Sequence, residues 1–114
     1  MFLGAHRGKV DDVYMNAVFF RTKQSGPLVT ATFKHVQHLG FSDFMVLVPQ
    51  LERQVPGLRQ LIPIGTADPT RTIAAQRAYV RAFLDLHLNG RPSPLLSGAM
   101  SPFAGVDVEV QEAR

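Results

Sequence analysis

The sequence contains no cysteine among its 114 residues. Disulfide bridges and thiolate metal sites within this chain are therefore excluded, and cysteine usage says nothing about the redox compartment. No apolar run reaches membrane-spanning length, and Phe2 and Leu3 before Gly4 are too short for the core of a signal peptide. These absences predict a soluble chain of undetermined localisation, with a parent protein that is either secreted or cytoplasmic.

A block of basic residues is also missing. Twelve Lys and Arg side chains against nine Asp and Glu give a formal charge of +3, but the basic residues are scattered singly from Arg7 to Arg114. This pattern predicts no nucleic-acid partner. The hydrophobic fraction of 46% and the charged fraction of 18% are typical of a folding chain, and 114 residues make at most one domain.

The first third of the chain reads as the end of a strand followed by a helix. Residues 1–4 resemble the last residues of a buried strand, and a glycine-containing loop follows through Gly8. Asp11 and Asp12 open a helical pattern that runs to about Arg21, with the two acids favourably placed near the positive end of the helix dipole. The sequence therefore predicts a strand remnant and then a helix.

Residues 28–34 predict the first complete strand. Apolar and polar side chains alternate there, with Val29, Ala31 and Phe33 on one face and Thr30, Thr32 and Lys34 on the other. The predicted strand thus has one polar face.

A short helix and a long connection follow. Residues 41–48 are mostly apolar and close at Pro49, which predicts a short helix capped by Ser42 or Asp43. Residues 49–68 are rich in proline and glycine and indicate a surface excursion that is either a lid or a plain connection.

The clearest element is a long helix of about five turns. Asp68 and Pro69 form a strong helix start, and Asn89 and Gly90 form an equally good stop. Its apolar residues predict a helix laid against a sheet: Ile73, Val80, Phe83, Leu84, Leu86 and Leu88. In the remaining tail, Val106, Val108 and Val110 alternate with acids, so this segment is either an edge strand or an unattached end.

This order of elements indicates an α/β fold that is incomplete by itself. One complete strand in the first two thirds of the chain cannot bury both helices, so the chain is expected to form the end of a larger α/β sheet. We expect residues 1–90 to belong to that sheet domain and residues 91–114 to be a Pro/Ser/Gly-rich tail.

Two histidines, His35 and His38, lie just past the end of the predicted strand. Catalytic groups gather beyond the carboxyl ends of strands in open α/β sheets, so either imidazole is a candidate. The alternative is that both are exposed loop residues without a task. A metal site is not supported, because cysteine and a dedicated carboxylate cluster are missing; no cofactor is expected, and His87 is interpreted as a helix-end residue.

The segment His38-Leu39-Gly40-Phe41-Ser42-Asp43 resembles the pattern His-x-x-Phe-(Ser/Ala/Thr)-Asp of α/β-hydrolases. With its context, residues 1–88 are most similar to the C-terminal part of the platelet-activating factor acetylhydrolase-like and bacterial lipase or esterase branch. The resemblance implies a Ser-Asp-His carboxylic-ester hydrolase in which His38 is the base and the substrate is a small-molecule ester or lipid. It leaves His35 without a role and makes Asp43 a helix cap rather than the orienting acid.

The sequence departs from this family in lacking a Gly-x-Ser-x-Gly nucleophile motif. In chain order the serine and the acid precede the histidine, so both are expected before Met1. The chain is therefore predicted to be the histidine-bearing segment of an ester hydrolase and inactive alone, with a complementing chain supplying the other groups. The alternative is a noncatalytic remnant or interaction module that docks to a partner, or forms a homo-oligomer, through its exposed sheet edge.

Overall fold

The computed structural model describes residues 2–5, 22–23, 25–98 and 101–112. The helix expected between Asp11 and Arg21 lies outside these residues. The described strands and α-helices are, in chain order, β1 (Phe2–Ala5), β2 (Leu28–Phe33), α1 (Phe44–Leu51), α2 (Leu58–Leu61), α3 (Pro69–Asn89) and β3 (Val106–Gln111). Two 3₁₀ turns complete the path, at His38–Phe41 and at Pro94–Leu96; the first is called the histidine turn below.

The described strands form one mixed sheet in the order β1-β2-β3. β1 runs parallel to β2, with Phe2 paired to Thr30 and Ala5 paired to Phe33. β3 runs antiparallel to β2, with Phe33 paired to Val106. The alternating valines of the tail therefore form an edge strand of this sheet.

Both faces of β2 are covered, although the alternating sequence predicts one polar face. Ala31 and Phe33 are buried as expected, but Thr30 on the opposite face is only 4% exposed. Leu28, on the same face as Thr30, is also buried, at 7% exposed. The polar alternation reflects threonine's fit to a pleated sheet more than contact with water.

The prediction of α3 is confirmed at both ends. The carboxylate of Asp68 accepts a hydrogen bond from the backbone N–H of Arg71 at 2.9 Å, and Pro69 occupies the first helical position. At the other end Gly90 adopts a left-handed φ of +64° and its N–H bonds the carbonyl of Leu86. No helix in the described part of the chain is long and apolar enough to cross a membrane.

α3 packs only part of its predicted apolar set against the core: Ile73, Phe83 and Leu86 lie there as partly buried residues. Its buried residues are Thr72, Ala75, Tyr79 and Ala82. Small side chains let the helix approach the sheet, so that the ring of Tyr79 meets Phe33 edge-on at a centroid distance of 6.5 Å. Val80, Leu84 and Leu88 instead remain 40%, 46% and 76% exposed. The prediction that these three pack on the sheet is therefore wrong.

The short helix α1 extends past Pro49, where the sequence predicts its end. Pro49 lies inside Phe44–Leu51, and the next backbone N–H bond closes normally from Glu52 to Val48 at 2.9 Å. Proline removes one helical hydrogen bond here. The helix persists because Met45 and Val48 are buried in the core and hold the turn that precedes the proline.

The excursion after α1 returns to pack directly against the histidine turn. The N–H of Gln37 bonds the carbonyl of Ile64 at 3.2 Å, and the N–H of Leu39 bonds that of Pro63 at 3.1 Å. A β-carbon on Gly40 would sit 2.6 Å from the Ile64 carbonyl oxygen and 2.5 Å from a methyl of Val36. Residues 63–65 thus pack against the histidine turn and leave no space for a side chain at position 40.

We expect Asp68→Ala to lower the free energy of unfolding by about 1 kcal/mol, because it removes the hydrogen bond that caps α3. Urea unfolding followed by circular dichroism measures this. Asp43→Ala is the matched control: Asp43 also precedes a helix, but its side chain makes no capping bond, so its effect should stay within about 0.5 kcal/mol. Equal losses in the two variants would contradict this account of the caps.

We also expect Gly40→Ala to lower the free energy of unfolding by about 3 kcal/mol, since a backbone carbonyl cannot move aside for the added carbon. The control is Gly90→Ala, whose added carbon meets no atom within 4 Å and introduces only left-handed strain, which costs about 1 kcal/mol. The same urea titration compares the two. A smaller loss at Gly40 than at Gly90 would show that the turn is not tightly packed.

Candidate functional site

The two candidate histidines follow the carboxyl edge of the parallel strand pair. β1 ends at Ala5 and β2 at Phe33, and these two residues are paired. His35 follows β2 by two positions, and His38 opens the histidine turn. This is the edge of an α/β sheet at which functional groups are commonly displayed.

The side chain of His38 is exposed. Its imidazole makes no hydrogen bond, ion pair or ring contact with any residue in the described parts of the chain. The histidine turn fixes the backbone position of His38, and no described group fixes the orientation of its ring. Both ring nitrogens are available to groups outside the described residues.

His35 has a different role, because it acts through its backbone. Its φ of +59° places it in the left-handed region, which is uncommon for a residue other than glycine. In this conformation its carbonyl accepts hydrogen bonds from the N–H groups of Thr66 and Ala67, at 2.9 and 3.0 Å. His35 therefore helps to fasten the returning segment to the end of β2.

Of the two residues predicted to cap α1, Ser42 makes the hydrogen bond. Its hydroxyl accepts from the N–H of Phe44 at 3.3 Å and donates to the carbonyl of Leu39 at 2.6 Å. Asp43 occupies the N-cap position of α1, as predicted, but its side chain makes no capping hydrogen bond. The reason is local: the backbone of Asp43 is already helical (φ −60°, ψ −17°), whereas a capping side chain requires an extended residue.

No serine of this chain forms a hydrogen-bonded pair with a histidine among the described residues. Besides Ser42, the hydroxyl of Ser93 accepts from the N–H of Leu95, and Ser97 donates to the Pro94 carbonyl. Ser101 bonds the hydroxyl of Tyr79 at 2.6 Å. Ser25 lies before β2 and is exposed. The described residues therefore contain no Ser-His pair.

His87 adds no site among the described residues. Three or more histidine, aspartate or glutamate side chains do not cluster anywhere in the described part of the chain. His87 lies in the last turn of α3, as the sequence indicates, and its ring packs against Phe83 at a centroid distance of 4.4 Å. His6 lies outside the described residues.

Three surface clefts are lined by described residues alone, and His38 lines none of the three. One of about 680 Å³ lies between His35, Arg71 and Phe103. Another of about 630 Å³ is lined by Phe41 and the exposed side of α3, and a third of about 570 Å³ lies between α3 and residues 91–95. The ring of Phe41 meets that of Phe33 edge-on at 5.5 Å, which ties the turn to the core.

The sequence did not single out Gln76, yet it contacts the histidine turn. Its Nε2 donates a hydrogen bond to the carbonyl of Gly40 at 2.9 Å. The two residues are 36 positions apart, and glutamine within a helix carries no pattern that predicts such a contact. Only the fold reveals it.

No protein-family model matches the chain, and the search of curated proteins gave no match. Among solved structures, the chain is similar to a ferulic acid esterase from Streptomyces cinnamoneus, with a TM-score of 0.77 and 30% sequence identity. The similarity covers 93% of this chain and 32% of the esterase chain. This chain therefore spans about a third of that enzyme's length, and it has an esterase-like hydrolase fold.

Proposed function

We propose that the chain is the histidine-bearing segment of a serine carboxylic-ester hydrolase, with His38 as the general base. The observation that carries the proposal is the setting of His38. Its imidazole is exposed and unbonded within the described residues, on a firmly packed turn beyond the carboxyl edge of the sheet. The similarity to an esterase supports the same reading.

Ester hydrolysis by a serine nucleophile requires an imidazole that is exposed and unbonded. A serine hydroxyl becomes a strong nucleophile when a neutral imidazole accepts its proton, and the same group then protonates the leaving alkoxide. One ring nitrogen must face the serine and the other an orienting carboxylate. His38 has both nitrogens available for these partners; the imidazole of His35 is also exposed, and the motif around His38 decides between the two.

The nucleophile and the oxyanion hole come, in this proposal, from polypeptide outside this chain. The serine hydroxyls at residues 42, 93, 97 and 101 are engaged in hydrogen bonds within the fold, and the similar esterase has about twice as much additional chain as the matched part. The proposal allows two alternative positions for the carboxylate that orients the histidine. It precedes Met1, as the family order implies, or it follows β1, where Asp11 and Asp12 stand in the sequence.

A small-molecule ester is the proposed substrate class. Hydroxycinnamate esters are the first candidates because the similar structure is a ferulic acid esterase. Acetyl and lipid esters are the candidates if the chain belongs to the platelet-activating factor acetylhydrolase-like branch, which remains a finer prediction from the motif around His38.

A second candidate function, an interaction module, is favoured by the exposed side of α3. Val80, Leu84 and Leu88 recur every four residues and form one apolar stripe along the helix. Leu47 and Leu51 of α1 are also about half exposed. Exposed large apolar side chains in this number are typical of a surface that another polypeptide covers.

We expect His38→Asn to abolish ester hydrolysis in a chimera in which this chain replaces the matching third of the Streptomyces cinnamoneus esterase. Loss of a triad histidine lowers kcat by about 10⁴-fold or more. Methyl ferulate and p-nitrophenyl acetate are the substrates. His35→Asn is the matched control, since asparagine tolerates the left-handed backbone and keeps the carbonyl that bonds Thr66 and Ala67, and it should change kcat by less than about threefold. Activity that survives His38→Asn would refute the assignment.

The 114-residue chain alone provides the complementary measurement. It should show no turnover of p-nitrophenyl acetate that a serine-directed phosphonate inhibits, because no serine in its described parts pairs with a histidine. Phosphonate-sensitive turnover that disappears in His38→Asn would overturn the claim that the serine comes from elsewhere.

For the interaction module, we expect the isolated chain to self-associate through the apolar stripe. Sedimentation equilibrium of the chain should give a dissociation constant for self-association. Leu84→Glu should raise this constant by at least about tenfold, since it introduces a charge among apolar contacts. Thr70→Glu adds the same charge at an exposed position of the same helix and should leave the constant unchanged. A chain that remains monomeric at all concentrations would rule out a homo-oligomer built on this stripe.

A further inference from the structure

The histidine turn is held from two sides by different means. Behind it, the backbone of residues 63–64 bonds the N–H groups of Gln37 and Leu39. On the other side α3 contributes one side-chain hydrogen bond, from Gln76 to the carbonyl of Gly40. These bonds belong to elements far apart in sequence, so the turn is positioned by the tertiary structure.

The carbonyl of Gly40 depends on Gln76. Gly40 is buried, and no backbone N–H in the described parts of the chain donates to its carbonyl. Gln76 is itself half-buried and reaches the oxygen at 2.9 Å. A buried carbonyl without a donor is costly, so removal of this amide would favour a turn that moves outward until water reaches the oxygen.

Inward relaxation of the turn is blocked. Gly40 already lies so close to Val36, Ile64 and Met45 that even a β-carbon would approach each of them within 2.9 Å. If the hydrogen bond from Gln76 is lost, the turn therefore moves away from Val36, Ile64 and Met45. His38 lies two residues earlier in the same turn, and no described side chain holds its imidazole in place, so the imidazole moves with the backbone.

From this geometry we infer that Gln76 is a positioning residue for His38, acting through the Gly40 carbonyl. Its effect on the order of the histidine turn follows from the contacts alone. Its effect on catalysis rests on the proposed function. A misplacement of about 1 Å in a catalytic group is enough to reduce the chemical step strongly.

The first test is amide hydrogen exchange in the 114-residue chain with Gln76→Met, which keeps the side chain's length but has no donor. Exchange at Gly40 and Ser42, whose N–H groups bond within the turn, should accelerate by roughly tenfold while Ala31 in β2 changes by less than about twofold. Arg77→Gln, at the neighbouring exposed position, is the control and should change none of these rates. Unchanged turn amides, or a uniform acceleration including Ala31, would overturn the inference.

The second test measures kinetics in the esterase chimera. Gln76→Met should lower kcat by roughly tenfold and leave KM unchanged, because a displaced base weakens the chemical step and not substrate binding. Gln76→Glu, which matches the shape of glutamine but places a carboxylate beside the carbonyl, should lower kcat at least as far.

The two proposals fail in distinguishable ways. If His38→Asn leaves the chimera active, the proposed function is wrong, while the exchange result still decides the role of Gln76 in the turn. If His38→Asn abolishes activity and Gln76→Met leaves kcat unchanged, His38 stands as the base and the positioning role of Gln76 is refuted.

Discussion

The close approach of Gly40 to residues 63–65 is the constraint on which the candidate site depends. Because Gly40 has no side chain, the turn can sit against the carbonyl of Ile64, whose own side chain is buried in the core. The excursion after α1 must return to this point for Ile64 to be buried. One packing requirement thus closes a long irregular segment and makes the histidine turn rigid.

α3 connects this site to the rest of the molecule through two different faces. Its inner face uses Ala75, Tyr79 and Ala82, and the small side chains allow the helix to lie close to the sheet. Gln76, next to this face, reaches the histidine turn. The outer stripe of Val80, Leu84 and Leu88 stays exposed.

Features set by local chemistry could be predicted from the sequence. The cap at Asp68 and the left-handed Gly90 fix the ends of α3. The sequence predicted either an edge strand or an unattached end for the alternating valines near Val106, and the structure has the strand. Features set by distant contacts could not be predicted. The number of apolar residues on α3 does not say which of them a three-stranded sheet covers, and a good capping residue such as Asp43 loses that role when its backbone is already helical.

The two histidines show how the same residue type serves different ends three positions apart. At His35 the left-handed backbone directs a carbonyl to Thr66 and Ala67, so the fold uses the main chain while the imidazole lines a cleft. At His38 the fold uses the main chain only to hold the residue in place and leaves the imidazole unbonded within the described residues. A general base needs an available imidazole on a restrained backbone. The imidazole of His35 is likewise exposed and unbonded within the described residues, so the preference for His38 over His35 rests on the motif around His38.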